Sequence, residues 1–464
     1  MVNIWNIFGT RDINGGFGWN AQQVVDALRS AGVQDITPCI SSDMEDAIIR
    51  WNEMYTARDP KKLPKKIASE FARLVTVEMK SQINNDAYLD EQYQAILPKL
   101  RYRLEQAFAL GSMVFKPFIN GEKIGVEFVP AGRFVPLGFD VEGNMTDAVF
   151  IDQRKKQNTN YTRFEIHRLT PNGVFIENRA FKERTPVPLE IIPEWIGLQP
   201  DILIRNTERP LFAFFCTPNN NTIDQSSWLG ASVFDTAMEM IDEANKQFAR
   251  LAWEFEGGEL AIDADATALK VVTTKNSKEK TLKLPKLQNR LFRRMNADPS
   301  TFYNVFSPEL RDVSLLNGLN SMLRDIEEAV GLSPGTFSEP ETEARTATEL
   351  KILRQRSYST VADLQTATEN ALRSLAECMK IFASLYEVGE VADAQNVGEL
   401  DMTFTWDDSI LTDDDAEFAQ QTRLVQMNIL KREELRAWYT GESLEEAAAN
   451  LPDVPKPVED DTEW

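Results

Sequence analysis

The sequence predicts an α+β fold with a mainly antiparallel sheet, and three observations carry that expectation. Apolar residues recur at three- and four-residue intervals between Ser42 and Leu110. From Met113 to Cys216 the period changes to alternation, broken by turn residues, so strands follow helices rather than interleave with them. Beyond Gly335 the only proline or glycine before Gly389 is Pro340, which predicts one very long helix over Ala344–Val388. At 464 residues the chain has room for about three domains or one elaborated one.

Taken in order, residues 1–41 read as a peripheral arm with a short amphipathic segment at Asn20–Ala31, where Val24, Val25 and Leu28 share a face. A helix follows from Ser42 with Met44, Ile48, Ile49 and Trp51. Pro60 and Pro64 interrupt it, and a second helix carries Ile67, Phe71, Leu74 and Val75. Tyr93, Ile96, Leu100, Leu104 and Phe108 predict a third over Ala87–Leu110. Met113–Ile119, Ile124–Val129, Ala148–Gln153 and Leu211–Cys216 read as strands. Thr162–Thr170 and Gly173–Arg179 form a hairpin across Pro171-Asn172-Gly173. A helix over Ser232–Phe255 stops at Gly257-Gly258. Short strand-like pieces follow at 260–262, 270–273 and 281–284, then a helix over Ser314–Val330 and a loop over Leu332–Glu343. Glu399–Trp406 alternates as a strand, Asp414–Leu430 and Ser443–Asn450 read as helices, and Pro452–Trp464 is a Pro- and acid-rich tail expected to be disordered.

Composition removes several function classes. There are 72 acidic and 50 basic residues, a formal charge of −22, so the bulk field repels polyanions and nucleic-acid contact must be local or transient. His167 is the only histidine, so no site needing two imidazoles can exist. Cys39, Cys216 and Cys378 lie far apart with no CxxC pair. They read as small buried hydrophobes in a reducing compartment, not as a disulfide or zinc framework. No apolar run approaches the ~20 residues that span a bilayer, and the first ten residues lack the features of a signal peptide. Charge is also uneven. Nine basic residues and one acid fall between Lys270 and Arg294, whereas Glu390–Trp464 holds twenty acids and five bases.

Motif evidence for catalysis is thin. Neither a phosphate-binding loop, a nucleophile elbow nor an EF-hand loop is present, and no cofactor is expected. The acid cluster Asp407, Asp408, Asp413, Asp414 and Asp415 is the one candidate for a two-metal nuclease site. Its second half falls where a helix should begin, where acids cap backbone N–H groups and complement the helix dipole. Lys61, Lys62, Lys65 and Lys66 read as solvated surface.

Two stretches carry a family resemblance. One is Ile67-Ala68-Ser69-Glu70-Phe71-Ala72-Arg73-Leu74-Val75-Thr76-Val77-Glu78, preceded by Trp51-Asn52-Glu53-Met54-Tyr55. The other is Gly331-Leu332-Ser333-Pro334-Gly335-Thr336-Phe337, followed by Thr346-Ala347-Thr348-Glu349-Leu350 and Arg354-Gln355-Arg356-Ser357-Tyr358. With Trp406-Asp407-Asp408-Ser409-Ile410 and the acidic helix after it, these resemble the portal proteins of tailed bacteriophages, in particular the Listeria siphophage type. The likeness runs from about Ser42 to Leu451 and lies in order and spacing.

The resemblance implies a structural protein, not an enzyme: a ring of about twelve copies at one capsid vertex, closed by a repeated heterologous interface. Double-stranded DNA would enter and leave through it, as a head-tail connector. It further implies a wing over 42–231, a stem helix over 232–256, a clip over 257–312, a second stem helix over 313–331, a tunnel loop over 332–343, a long helix and strand returning to the wing over 344–413, and a helical crown over 414–451. The tunnel loop would present Ser333, Thr336, Ser338, Glu339, Glu341 and Glu343 to the DNA. With three acids and no base, it would bind phosphate weakly and let DNA slide. The clip would dock the terminase large subunit and later a head-completion adaptor through Lys275, Lys278, Lys280, Lys283, Lys286, Arg290, Arg293 and Arg294. Major capsid and scaffolding proteins would be further partners. The protein would sit at the portal vertex of the virion after assembly in the host cytoplasm, with no membrane contact. The alternatives are the metal-dependent nuclease and a non-viral ring scaffold.

Overall fold

The computed structural model describes residues 19–258, 261–265, 292–295, 303–306, 309–339, 347–388, 399–406, 414–427, 429–440 and 442–451. The chain divides into two compact units, Met1–Thr405 and Trp406–Trp464.

In the first unit, helix α1 (Ala21–Ser30) starts in a capping box. Asn20 Oδ1 accepts from Gln23 N at 2.8 Å, and Gln23 Oε1 accepts from Asn20 N at 3.3 Å. Sequence reading placed this segment in a peripheral arm. It is instead part of the core: Val24, Val25 and Leu28 are buried with Val135, Val149, Phe164, Ile166 and Phe181. A sheet with one face still apolar needs a cover, and α1 supplies it.

Helices α2 (Ser42–Thr56) and α3 (Leu63–Thr76) bury the predicted faces, Met44, Ile48 and Trp51 on one, Ile67, Phe71 and Val75 on the other. Strand β1 (Met79–Ile83) follows. The third predicted helix is two: α4 (Ala87–Gln94), capped by Asp86, and α5 (Leu97–Leu110), with Pro98 in its first turn. A proline has no N–H for the preceding turn and clashes with it, so the apolar stripe continues while the helix restarts.

Strands β2 (Ser112–Asn120), β3 (Lys123–Pro130), β4 (Phe134–Phe139), β5 (Met145–Lys156), β6 (Thr159–Thr170), β7 (Gly173–Lys182), β8 (Thr185–Val187), β9 (Asp201–Arg205) and β10 (Ala213–Cys216) build two antiparallel sheets. One has the order β10-β2-β3; the other runs β4-β5-β6-β7-β8, with β9 also on β7. The predicted hairpin is present in register, Thr170 opposite Gly173. Gly173 has φ 125°, and a Cβ there would sit 2.0 Å from the Ile204 carbonyl, so only glycine fits.

Helix α6 (Met238–Gly257) is shorter than predicted. Residues from Ser232 make a local turn, with Phe234 N donating to Ser232 Oγ, and a single 3-10 turn at Asp235–Ala237. Strands β11 (Ala261–Asp265), β12 (Phe292–Met295) and β13 (Tyr303–Phe306) form a small sheet with β11 central. The expected pieces at 270–273 and 281–284 lie outside the described residues. Helix α7 (Asp312–Val330) and the 39-residue α8 (Ala347–Leu385) match expectation within a few residues. At 1.5 Å per residue α8 is about 58 Å long. It packs on β10 and β2 and buries Val361, Leu364, Leu372, Leu375 and Met379. Strand β14 (Met402–Trp406) then pairs with β1.

Two glycines weld the helical and strand layers. A Cβ on Gly111 would lie 2.1 Å from the Gly230 carbonyl oxygen, and one on Gly230 would lie 2.3 Å from that of Gly111. Thr217 N and Val233 N donate to Gly111 O and Phe108 O nearby.

The two sheets meet across a buried charge cluster. Lys116 on β2 reaches Glu165 on β6 at 3.0 Å and Glu127 on β3 at 3.3 Å; Arg163 reaches Glu165 at 3.0 Å. Burial alone would push the Lys116 ammonium down, but Glu165 and Glu127 hold it above its ordinary value. Burial would raise Glu165, but Lys116, Arg163 and His167 hold it well below the carboxylate range. His167 is the packed histidine the sequence suggested, edge-on to Phe150, with Nε2 2.8 Å from Glu165 Oε1 and Nδ1 without a partner. Desolvation pushes its pKa down, against the pull of Glu165. The unfolded chain therefore takes a proton that the native state refuses. Stability is full above about pH 6.5 and falls as the pH drops below it, by up to ~1.4 kcal/mol per unit. In urea titrations at pH 7 and 5.5, His167→Gln should flatten this dependence. An unchanged slope would mean another group sets it.

Cys216 is half-buried and Cys378 buried, as expected, but Cys39 is exposed, its Sγ donating to Leu137 O at 3.0 Å; all three are free thiols.

The second unit holds α9 (Asp414–Gln426), α10 (Arg432–Thr440) and α11 (Leu444–Ala449), the last in a Ser443/Glu446 capping box. Sequence reading missed α10, a nine-residue helix that buries none of its residues. Phe418 and Tyr439 pack at 5.2 Å between centroids.

Candidate functional site

Helices α6 and α7 lie side by side and antiparallel, and specific bonds fix their register. At one end Thr236 Oγ1 donates to Ala329 O at 3.1 Å. In the middle Gln247 Nε2 donates to Leu315 O at 3.4 Å. At the far end the Glu254 carboxylate accepts from Arg311 three times, from N at 3.1 Å, Nε at 3.1 Å and Nη2 at 2.7 Å. Those bonds to Arg311 hold the Glu254 carboxyl below its usual range. Ile241, Ala244 and Leu251 of α6 and Leu319, Leu323, Ile326 and Val330 of α7 are buried. Large apolar side chains also stand exposed among the charged ones: Trp253 is 66% and Val313 65% exposed, and Met240, Leu310 and Leu316 are also exposed. Exposed tryptophan, valine and leucine side chains on one hairpin mark a surface suited to contact.

Beyond α7 the chain turns at Gly331, where φ is 81° and a Cβ would meet Thr360 Oγ1 at 2.6 Å. The predicted loop does not leave the helix at this point. Glu327, wholly buried, accepts from Gly335 N at 2.9 Å, Ser338 N at 2.7 Å, Ser338 Oγ at 2.8 Å and also Phe337 N. Glu339 N donates to Asn320 Oδ1 at 2.7 Å, and Arg324 Nη2 donates to Glu339 O at 3.3 Å. Ser333 Oγ lies 2.8 Å from Ser357 Oγ on α8, and Thr336 Oγ1 donates to Ser333 O at 2.6 Å. The segment therefore runs back along α7, one helical turn at a time, from Glu327 to Arg324 to Asn320.

Of the predicted loop residues, Ser333, Thr336 and Ser338 are structural members of this fold-back, and Ser338 is buried. Glu339 is exposed at its end. Glu341 and Glu343 lie outside the described residues. The residues that sequence reading missed are Glu327, Arg324 and Asn320. Their spacing marks a helix face, and nothing local says that the chain doubles back over it.

Of the basic residues, Arg293 and Arg294 sit on β12, opposite Asp263 and Ala264 of β11. Lys275, Lys278, Lys280, Lys283, Lys286 and Arg290 lie outside the described residues. So do Asp407, Asp408 and Asp413; Asp414 and Asp415 open α9, where helix-capping acids were expected. Among the described residues no cluster of three or more histidine, cysteine, aspartate or glutamate side chains could hold a metal ion. A cavity of about 460 Å³ between α2 and the start of α6 is lined by Asp43, Asp46, Arg50, Asp235 and Glu239. Its acids are solvated or already engaged, Asp235 by Trp51 Nε1 at 2.8 Å.

The profile of a family described as "Phage portal protein, SPP1 Gp6-like" matches residues 103–451, well over half of the chain. No curated protein matches. Among solved structures, chains from three gene transfer agent (GTA) particle structures are similar. One, in the virion of the native particle, has a TM-score of 0.46 at 11% identity, with 91% of this chain and 99% of that chain covered. A second, in the neck of the empty particle computed with C6 symmetry, has 0.47 at 11%, with the same shares covered. A third, in the neck of the native particle computed with C12 symmetry, has 0.44 at 12%, covering 89% and 98%.

Proposed function

We propose, from the premise that this chain belongs to the phage portal protein family of the SPP1 Gp6-like kind, that copies of it close a ring through which double-stranded DNA is packaged and ejected. The observation that carries the ring is the exposure of Trp253, Val313 and Leu316 on the α6/α7 hairpin. In a closed ring each hairpin has a neighbour on both sides, which covers Trp253, Val313 and Leu316 without further partners.

In this reading α6 and α7 are the stem, 257–312 the clip, 42–231 with α8 and β14 the wing, and 414–451 the crown. Within the family we place the chain with the Listeria siphophage type, on the order and spacing of the segments around Ile67 and Gly331. Ser333, Thr336 and Ser338 are engaged in the fold-back along α7, which supports Glu341 and Glu343 as the tunnel-loop residues that meet DNA. Acidic side chains there repel phosphate and favour sliding. The basic residues from Lys275 to Arg294 dock the terminase large subunit and then the head-completion adaptor, and the rim meets capsid and scaffolding proteins. The protein sits at the portal vertex of the virion after assembly in the host cytoplasm and catalyses nothing itself. No helix among the described residues is long and apolar enough to cross a membrane.

Electron microscopy of the purified protein tests this. End-on views should show closed rings of about twelve copies around a central hole. Val313→Glu should leave monomers with unchanged circular dichroism, because the site is exposed within one subunit. Rings that persist in the variant would move the interface elsewhere. A compact monomer that cleaves DNA with magnesium would replace the portal reading with the nuclease.

A further inference from the structure

Among the described residues strand β9 is an edge of its sheet. Its strand neighbour is β7, with Asp201 opposite Glu177 and Arg205 opposite Gly173; among the described residues no strand pairs with its other side. The opposite border of the same sheet is treated differently: Cys39 N donates to Pro136 O at 2.8 Å and so covers β4. β9 itself is Asp-Ile-Leu-Ile-Arg, with Leu203 exposed, and Ile196 and Leu198 just before it are exposed as well. It has no central proline, lysine or bulge. Natural sheets blunt such edges or pair them.

The same chain contains a segment suited to pair it. Val2-Asn3-Ile4-Trp5-Asn6-Ile7-Phe8 has five apolar residues in seven, mostly β-branched or aromatic, and the first charged side chain comes at Arg11. In a chain of net charge −22 this is an uncharged, β-prone stretch, which left uncovered is an aggregation hazard. Its attachment point is close to β9. Trp19 packs against Phe164 at 5.1 Å and Phe181 at 6.3 Å, and Phe181 belongs to β7, the strand that carries β9. From Phe181 back to Glu177, where β9 pairing begins, is roughly 13 Å along the strand. The ten residues 9–18 can span up to roughly 33 Å.

We propose that residues 2–8 add to the open side of β9 as a further strand of their own subunit's sheet, covering Leu203 and the exposed residues before it. The proposal is independent of the ring and of the portal reading.

Hydrogen exchange on the full chain tests it, with monomeric and assembled fractions measured separately. Alternate amides of β9 are held by β7, and the others should also be protected. Ile4→Lys with Ile7→Lys should release that second set, so that it exchanges at least tenfold faster, while amides of β6 keep their rates. Thermal unfolding of the variant confirms that the remaining fold is intact. Three results would overturn the proposal: the second set exchanging at free-peptide rates in the unaltered chain, protection indifferent to the two lysines, or protection confined to the assembled fraction. The last would make the segment's host a second copy.

Discussion

Glu327→Gln releases the 335–339 segment from α7. The carboxylate is buried and meets three backbone N–H groups and one hydroxyl. Glutamine keeps the shape but has one oxygen, and its amide nitrogen turns two donors toward donors. Whichever way the amide turns, two of the four donors lose their oxygen: Phe337 N and Ser338 N, or Gly335 N and the Ser338 hydroxyl. Bonds to a charged acceptor contribute about 1.5–3 kcal/mol each, so a loss of about 3 kcal/mol is expected after partial relaxation. Thermal melts and amide exchange read it directly: Gly335, Phe337 and Ser338 should lose protection while amides of β6 keep theirs. Ser338→Ala removes one donor and leaves the carboxylate, so it should cost only about 1 kcal/mol. If Glu327→Gln leaves the exchange of these three amides unchanged, the carboxylate is not what holds them. In assembled particles the same variant should package less DNA, because the loop would emerge from an unfixed base; normal packaging with a released segment would uncouple the fold-back from function.

Lys116→Met should destabilise the first unit by about 3 kcal/mol, because it leaves Glu165 buried with only Arg163 and His167 to face it. Breaking a buried pair strands a charge, whereas replacing both partners with apolar groups of similar size removes the desolvation cost along with the attraction. Lys116→Met with Glu165→Met should therefore recover much of the loss. Urea midpoints of the wild type, both single variants and the double variant decide it. A double variant as unstable as the sum of the singles would mean that the cluster holds the sheets together by more than charge balance.

Periodicity made the fold class legible, and the reason is visible in particular elements. The stripe of α5 and the alternation of β6 each have one buried side, so burial writes itself into the sequence, while β2 is buried on both faces and reads as a short apolar run. The same logic hid what depends on distant partners. β1 reads Met-Lys-Ser-Gln-Ile and is a strand because β14, over three hundred residues later, lies beside it. The break between α4 and α5 interrupts no stripe, so only Pro98 announced it. The helix pair α6/α7 could be read in advance, together with the turn at Gly331. The fold-back could not, because a buried glutamate that satisfies amides eight to eleven residues away has the same sequence signature as a solvated one. The basic run was legible as charge alone, and composition carries no geometry.

The contact between Gly111 and Gly230 has a mechanical consequence. Each already lacks a side chain, so neither can be relieved by shrinking the other, and the two backbones touch with nothing compressible between them. Gly111 joins α5 to β2, and Gly230 lies just ahead of the turn into α6. A twist applied at the free end of the α6/α7 hairpin therefore has a short, stiff load path into the sheets. Such a joint behaves as a rivet, not a hinge: the hairpin and the strand layers turn together, and compliance must reside in the segments that have side chains to yield.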